Sequence, residues 1–465
     1  MNVILDKMID EYFCEMVEDL KSFIRIPSVL DDTTKDKGCP FGLEVSRGLE
    51  WILEKGEQLG FRSTNLDGYA GYIEIGDGID TVGILTHVDV VPAGAGWSVD
   101  PFGGEIKDGS IYGRGSIDDK GPIIATLYAL KAIKESNLPI SKRIRLIIGA
   151  DEETNNRCIQ YYLKKEGSPI YGFSPDAEFP IIHAEKGILH IDIIKKFEVN
   201  ASLKVNFKKI GGGTRVNMVP GEAEALIVGS TLRDVNQKLQ DSIFRNKLQI
   251  EEISEGVLVR AQGIPAHASE PYDGENAIQI LLSSLKILGI DNSDVQSFIN
   301  KLAEKVDMEI DGRSLGISCS DDISGALTLN LGVVDVNEER GIFKFDIRYP
   351  VTANGYEIIE KLKQALSDLN TKIVVNDHEL PLYVSPHAEF IKKLQYVYKK
   401  MTGDDPKLLS IGGGTYCRYV KNAVSFGPVF PGQRELAHCS DEHITLNDLR
   451  LIAKIYAQAI WELAK

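Results

Sequence analysis

The texture of hydrophobic and polar positions changes twice along the chain. From Gly60 to about Gly149, uninterrupted apolar runs such as TVGILTHVDVV and RIRLIIGADEE end in polar or acidic residues, the pattern of strands buried on both faces. Between them lie the Gly-rich and Pro-containing stretches GAGWSVDPFGG and GSIYGRGSIDDKGP, then IIATLYALKAIKES, which has helical spacing and no breaker. Strands alternating with helices of this length predict an α/β layer with a mainly parallel sheet. From Ile188 to about residue 380 the strands instead alternate residue by residue (LHIDIIKKFEV, EAEALIVG, GVLVRAQG), with the helix GENAIQILLSSLKIL. A similar order follows in ALTLNLGVVDV, GIFKFDIRYP and NGYEIIEKLKQALSDL, so this region reads as a doubled α+β module of two small sandwiches. After Ser385 the α/β character returns with AEFIKKLQYVYKKM, SIGGGTYCRY, NAVSFGP and LNDLRLIAKIYAQAIWEL. The simplest organisation is one α/β domain, residues 1–187 and 385–465, interrupted by an inserted α+β domain, residues 188–384.

Polar residues break the apolar runs at informative places. In ILTHVDVVP, His87 and Asp89 are two apart and share one face of the strand. That spacing suits a metal ligand and the carboxylate that orients it, and equally a strand that simply ends in turn residues. GRGSIDDKGP places Asp118 and Asp119 just before a Gly-Pro helix start, where acids also serve as dipole-favoured caps. GADEET carries Asp151, Glu152 and Glu153, SPDAEFP carries Asp176 and Glu178, and ELAHCSDEH carries His438, Glu442 and His443. Each has an ordinary reading alone. Together they gather histidines and carboxylates at the carboxyl ends of α/β strands, where this architecture builds its sites, and they supply two metal ions if one carboxylate bridges.

Composition narrows the partners. At 465 residues two or three domains are expected, and 43% hydrophobic with 26% charged residues is a globular composition. A formal charge of -16 argues against nucleic acid or an anionic membrane as the main partner. The first twenty residues lack a basic segment followed by an apolar one, and no run approaches a membrane span. Six cysteines are scattered without Cys-x-x-Cys spacing, which fits a reducing cytoplasm better than a secreted disulfide framework.

HVDVVP, GRGSIDDKGP, the Glu152–Glu153 pair, SPDAEFP and the late AHCSDE resemble, in order and spacing, the motif series of the M20 family of di-zinc metallopeptidases, most closely its PepV-like (carnosinase or Xaa-His type) dipeptidases. The resemblance implies that His87 and Asp176 bind one metal, Glu153 and His438 the other, and Asp118 bridges them. It makes Asp89 the partner that orients His87 and Glu152 the general base, and leaves Asp119 outside the ligand set. Zinc is the implied metal, with manganese and cobalt as alternatives by ligand type. Such a pair would acidify a bound water for attack on an amide.

The inserted region carries a second implied set. RVNMVPGEA (Asn217), GIPAHASEP (His267) and FDIRYP (Arg348) resemble the positions by which the family's lid reaches substrate. His267 would stabilise the oxyanion, and Asn217 and Arg348 would hold the substrate and its carboxylate. Ile264-Pro265 stand where the family often has a lysine. SIGGGTYCRY resembles the family's carboxylate loop, with Gly413, Gly414 and Thr415 as backbone donors and Arg418 as a cation; no Lys-Ser/Thr follows the glycines, which disfavours a nucleotide loop. The expected activity is hydrolysis of dipeptides, β-Ala-His among the candidates, by a monomer whose doubled lid does what a partner subunit does in dimeric relatives. An N-acyl-amino-acid deacylase and an inactive metal-dependent binding protein are the two other readings.

Overall fold

The computed structural model describes residues 1–198, 205–289 and 294–465. The chain forms two compact units, one of Met1–Ala184, Tyr383–Ser410 and Gly414–Lys465, the other of Glu185–Leu382 with Ile411–Gly413.

The first unit is built on a nine-stranded sheet, seven of whose strands run in the order Arg62–Leu66, Ala70–Ile75, Arg143–Gly149, Thr81–His87, Tyr171–Ser174, Ala423–Ser425 and Ile181–Glu185. The middle four are mutually parallel and the outer pairings antiparallel. This is the mainly parallel centre that the continuous apolar runs predict, because a parallel strand covered on both faces has no solvent side to alternate toward. One covering helix, Lys120–Glu135, is buried along almost its whole length between Val3–Ile24 and Leu446–Ala464, as its apolar residues on every side require.

The second unit is one eight-stranded antiparallel sheet. Its order is Leu248–Ile253, Gly256–Gln262, Glu222–Val228, Asn206–Gly212, Thr328–Asn337, Arg340–Tyr349, Gly187–Lys196, Lys372–Glu379. The two halves expected as separate sandwiches are therefore joined: Lys209 pairs with Asn337 and Gly212 with Val334, which fuses them edge to edge. Alternation sorts the faces. Ile191, Ile193, Phe343, Phe345 and Ile347 point into a core shared with the helices Ala277–Leu288, Asp294–Val306 and Gly355–Ala365, while His190, Asp346 and Arg348 take the opposite face. The last residue of the expected strand LHIDIIKKFEV, Val199, lies outside the described residues.

A loop of this unit yields a pH prediction. Asp321 accepts N–H groups from Ile323 at 3.0 Å and Thr352 at 3.1 Å, the Thr352 hydroxyl at 2.9 Å, and the Ser324 N–H. Burial alone would raise its pKa, but the Ser324 and Thr352 donors outweigh it and bring the carboxyl to about 2. A depressed carboxyl stabilises the fold above its unfolded value and loses that contribution as pH falls through the folded one. Asp321→Asn should cost about 1–2 kcal/mol at pH 7, discounted for partial exposure, and almost nothing at pH 2; denaturant melts of both proteins at the two pH values check this.

Candidate metal centre

Three neighbouring parallel strands end at one place in the first unit. Thr81–His87 delivers His87 itself, the turn after Arg143–Gly149 delivers Glu152 and Glu153, and the turn after Tyr171–Ser174 delivers Asp176. Asp118 comes from the loop that enters the helix Lys120–Glu135, and His438 from the segment before His443–Thr445. Those two distant segments are stapled by Glu442. Its carbonyl accepts the Gly113 N–H at 2.9 Å, one carboxylate oxygen accepts the Ile117 and Asp118 N–H groups at 2.9 and 3.3 Å, and the other meets Arg114 Nη1 at 2.6 Å. Glu442 and Arg114 are both buried. His438 holds a left-handed backbone with φ 63, a conformation that costs a residue with a Cβ about 1–3 kcal/mol and that surrounding contacts must enforce.

The side chains converge around Asp118. His87 Nε2 lies 3.0 Å from Asp118 Oδ1 and 3.4 Å from Asp176 Oδ2, while His438 Nε2 lies 3.1 Å from Asp118 Oδ2 and 3.0 Å from Glu153 Oε2. The two oxygens of one carboxylate thus face two different imidazoles. Ligand atoms of His87, Glu152 and Asp176 fall within 4.8 Å of one another, and so do those of His87, Asp118 and Glu153. His87 Nδ1 donates to the Asp89 carbonyl at 2.9 Å, which fixes the ring's orientation and leaves Nε2 facing the carboxylates. Both His87 Nε2 and Asp118 Oδ1 are buried and without a hydrogen bond. With Nδ1 spending its proton on Asp89, Nε2 of a neutral ring is an acceptor beside the Asp118 oxygen, and the two need a positive charge between them, a proton or a cation.

The electrostatics say the same. Burial raises the Glu152 carboxyl well above its ordinary pKa, and Asp176, Glu153 and Asp118 push it further. Burial and the Asp118 charge bring Glu153 to about 7 and raise Asp176. Burial also opposes ionisation of Asp118, but the His438 and His87 imidazoles beside it prevail and hold it low. His438 rises to about 11 through Asp118 and Glu153; His87, which burial would lower, is carried well above 6.5 by Asp118 and Asp176. Four carboxylates exceed what two rings can neutralise. A donor set of imidazole nitrogens and carboxylate oxygens, short of positive charge and with orphaned buried acceptors, fits divalent cations.

Other expected residues take places that the sequence did not reveal. The Asp89 carboxylate is 3.5 Å from the His87 ring and instead accepts the Glu152 and Glu153 N–H groups, each at 3.1 Å; it holds the glutamate turn, while its carbonyl orients the ring. Asp119 is fully buried and accepts the His87 N–H at 3.2 Å; burial and the nearby Asp176 raise its pKa well above the usual carboxylate range. Thr415 spends its hydroxyl as a cap, accepting the Cys417 N–H at 3.2 Å. Arg418 folds back so closely that a Cβ on Gly414 would sit 2.2 Å from its Nη2. Gly413 belongs with the second unit and Gly414 with the first.

The second unit gathers the expected lid residues. His267 lies on a two-stranded ribbon in which Met218 pairs with it, and Asn217 immediately precedes the Met218 strand, its carbonyl accepting the Ala268 N–H at 3.0 Å. Ile264 exchanges two backbone hydrogen bonds with Glu275, at 2.9 and 2.8 Å, which anchors the ribbon where the family's lysine is missing. His267 Nδ1 accepts the Ser269 N–H at 3.2 Å, so a neutral ring carries its proton on Nε2. Desolvation and the Arg348 charge lower its pKa and favour that neutral form. Arg348 is grasped by Asp346 through Nε at 2.6 Å and Nη2 at 2.7 Å, and donates from Nη1 to the Gly412 carbonyl at 3.0 Å. Of its five N–H groups, one on each terminal nitrogen remains after these three bonds.

Residues 83–462 match the model of Peptidase family M20/M25/M40. The chain belongs to that family. This M20 peptidase is accordingly a metallopeptidase, a hydrolase of peptide bonds with a requirement for divalent metal ions. It is 43% identical over 455 residues, 97% of either chain, to the Bacillus subtilis protein named "Putative dipeptidase YtjP". Its fold is that of human carnosine dipeptidase 1, with TM-score 0.59 and 17% identity over 100% of this chain and 99% of that one. The M20 family metallo-carboxypeptidase Sso-CP2 of Sulfolobus solfataricus has the same fold at TM-score 0.58 and 19% identity, over 96% and 99% of the two chains. No helix among the described residues is long and apolar enough to cross a membrane.

Proposed function

We propose that this M20 peptidase is a dipeptidase, cleaving dipeptides with free amino and carboxyl termini, and that it works as a cytoplasmic monomer with two zinc ions. The observation that carries the reading is the division of Asp118 between two imidazoles, Oδ1 toward His87 and Oδ2 toward His438. His87 and Asp176 would hold one ion, Glu153 and His438 the other, with Asp118 shared. When bound, the pair polarises the scissile carbonyl and acidifies water. Glu152 takes the proton from that water and passes it to the leaving amine; its buried carboxylate, crowded by Asp176, Glu153 and Asp118, holds a proton more tightly than an ordinary glutamate. His267 donates its Nε2–H to the oxygen on which charge develops. The two spare N–H groups of Arg348 grip the substrate's carboxylate, a bidentate match, and Asn217, the backbone at Gly413, Gly414 and Thr415, and Arg418 are the further substrate-holding groups.

The dipeptide preference is supported by the dipeptidase name of the 43% identical relative. The monomer is supported by the fused double lid, and the compartment by six cysteines scattered without the spacing of a secreted disulfide framework. The test is hydrolysis of Ala-Ala, β-Ala-His, Ala-Ala-Ala and N-acetyl-Ala by metal-stripped protein with zinc, manganese or cobalt restored. Cleavage restricted to the dipeptides and dependent on metal is the expected result. Cleavage of N-acetyl-Ala alone would make the protein a deacylase, and no cleavage with any metal would make it a binding protein.

A further inference from the structure

On the sheet face of the second unit that is turned away from its hydrophobic core, four polar residues stand in one row across four strands. Asp377 pairs with His190, His190 with Asp346, and Asp346 with Asn330. Asp346 and Asn330 are almost completely buried, and a buried polar residue is costly unless its bonds are made. Theirs are made to the two groups that the proposed function needs. Asp346 takes Arg348 with both oxygens, at 2.6 and 2.7 Å, and accepts His190 Nε2 at 3.1 Å. Asn330 donates to the carbonyls of Val216 at 3.0 Å and Met218 at 2.9 Å, the residues on either side of Asn217, and its oxygen accepts from Asn276 Nδ2 at 3.1 Å. The loop lies flat against the strand beside it: a Cβ on Gly332 would meet the Val216 oxygen at 2.2 Å. Asn276 is itself fixed, donating to the Leu331 carbonyl at 2.9 Å and capping Ala277–Leu288 through the Ile278 and Gln279 N–H groups.

We propose that the row His190–Asp346–Asn330 is a positioning array that sets the spacing between Arg348 and Asn217, and so the length and register of the peptide they hold. This rests on the reading of Arg348 and Asn217 as substrate-holding groups. The physical reason is entropic. A free arginine samples many rotamers, whereas one locked by a bidentate carboxylate presents its last two N–H groups in one direction. Likewise an amide bonded to both neighbouring carbonyls leaves Asn217 a single backbone conformation. His190, between Asp346 and Asp377, keeps the Asp346 carboxylate from turning away from the guanidinium. Because the three lie on adjacent strands of one sheet, the separation of the two gripping points is fixed by strand spacing rather than by loop length.

The test is steady-state hydrolysis of Ala-Ala by the zinc-loaded full chain carrying Asp346→Asn, Asn330→Ala, Arg348→Met or Asn217→Ala, and the doubles D346N/R348M and N330A/N217A. The expected result is that D346N and N330A each raise KM about tenfold or more with kcat little changed, and that neither adds to the KM of its double partner, since residues acting through one group are not additive. A purely structural role would instead lower the active fraction and leave KM where it was. The array is overturned if R348M and N217A raise KM while D346N and N330A leave it unchanged, or if the doubles are additive. If R348M and N217A themselves leave KM unchanged, the substrate-holding reading falls and the array with it. Should D346N fail to fold, Asp346→Glu keeps the charge, moves the carboxylate by one methylene and is judged by the same change in KM.

Discussion

Glu152→Gln should lower kcat for Ala-Ala by about 10²–10⁴-fold with little change in KM, the range expected for loss of a general base. Among the described residues the neighbouring carboxylates are otherwise engaged, Asp119 by the His87 N–H. Asp89 is committed to the Glu152 and Glu153 N–H groups, Glu153 and Asp118 face His438, and Asp176 faces His87. The glutamine keeps the size of the side chain and removes only its capacity to take the proton. Kinetics must be accompanied by metal analysis, because the Glu152 carboxylate lies within reach of the same point as His87 and Asp176. Full metal content with lost activity identifies a base. Loss of one ion in step with activity would identify a ligand and reassign the role.

Glu442→Ala should be the most destabilising single substitution near the centre, at about 3–5 kcal/mol. It leaves Arg114 as a buried cation without its partner and strips the acceptor from the N–H groups of Ile117 and Asp118. Glu442→Gln should cost clearly less, since its amide oxygen still accepts those two N–H groups and only the charge opposite Arg114 is gone. Thermal melts of the metal-free proteins measure the stability, and zinc titration measures the second consequence: the loop that presents Asp118 loosens, so both ions bind more weakly. A Glu442→Ala protein as stable as the parent, with unaltered zinc affinity, would show that the staple is dispensable.

The sequence carried the strand ends because their information is local. A continuous apolar run that stops in His87, or in Glu152 and Glu153, announces both a buried strand and a group at its carboxyl end, and the fold's parallel order does the rest. What escaped depends on where a short side chain finds its partner. Asp89 lies on the face expected for a ring-orienting carboxylate, yet its oxygens turn to the main chain of a turn 63 residues away. Thr415 has a second task beside its backbone, for its hydroxyl caps the short helical turn that follows, which the glycine loop around it conceals. Glu442, four residues after His438, is indistinguishable in sequence from a solvated acid, and only the burial of Arg114 opposite it reveals its task. The fusion of the two lid halves was hidden for another reason: alternation reports which face of a strand is covered and says nothing about which edge is paired.

The Glu442 staple joins its carboxylate to a backbone N–H 324 residues away, and the strand Ala423–Ser425 lies between Tyr171–Ser174 and Ile181–Glu185 in the sheet. As the chain emerges from the ribosome, the central sheet must therefore wait with a strand missing until Ala423–Ser425 has been made. His438 and its staple arrive later still. The second unit, nearly all of it one continuous stretch, can be complete by then. A nascent chain thus carries Asp118, Glu152, Glu153 and Asp176 before the imidazole that faces two of them, and the cluster can come together only after His438 has been made.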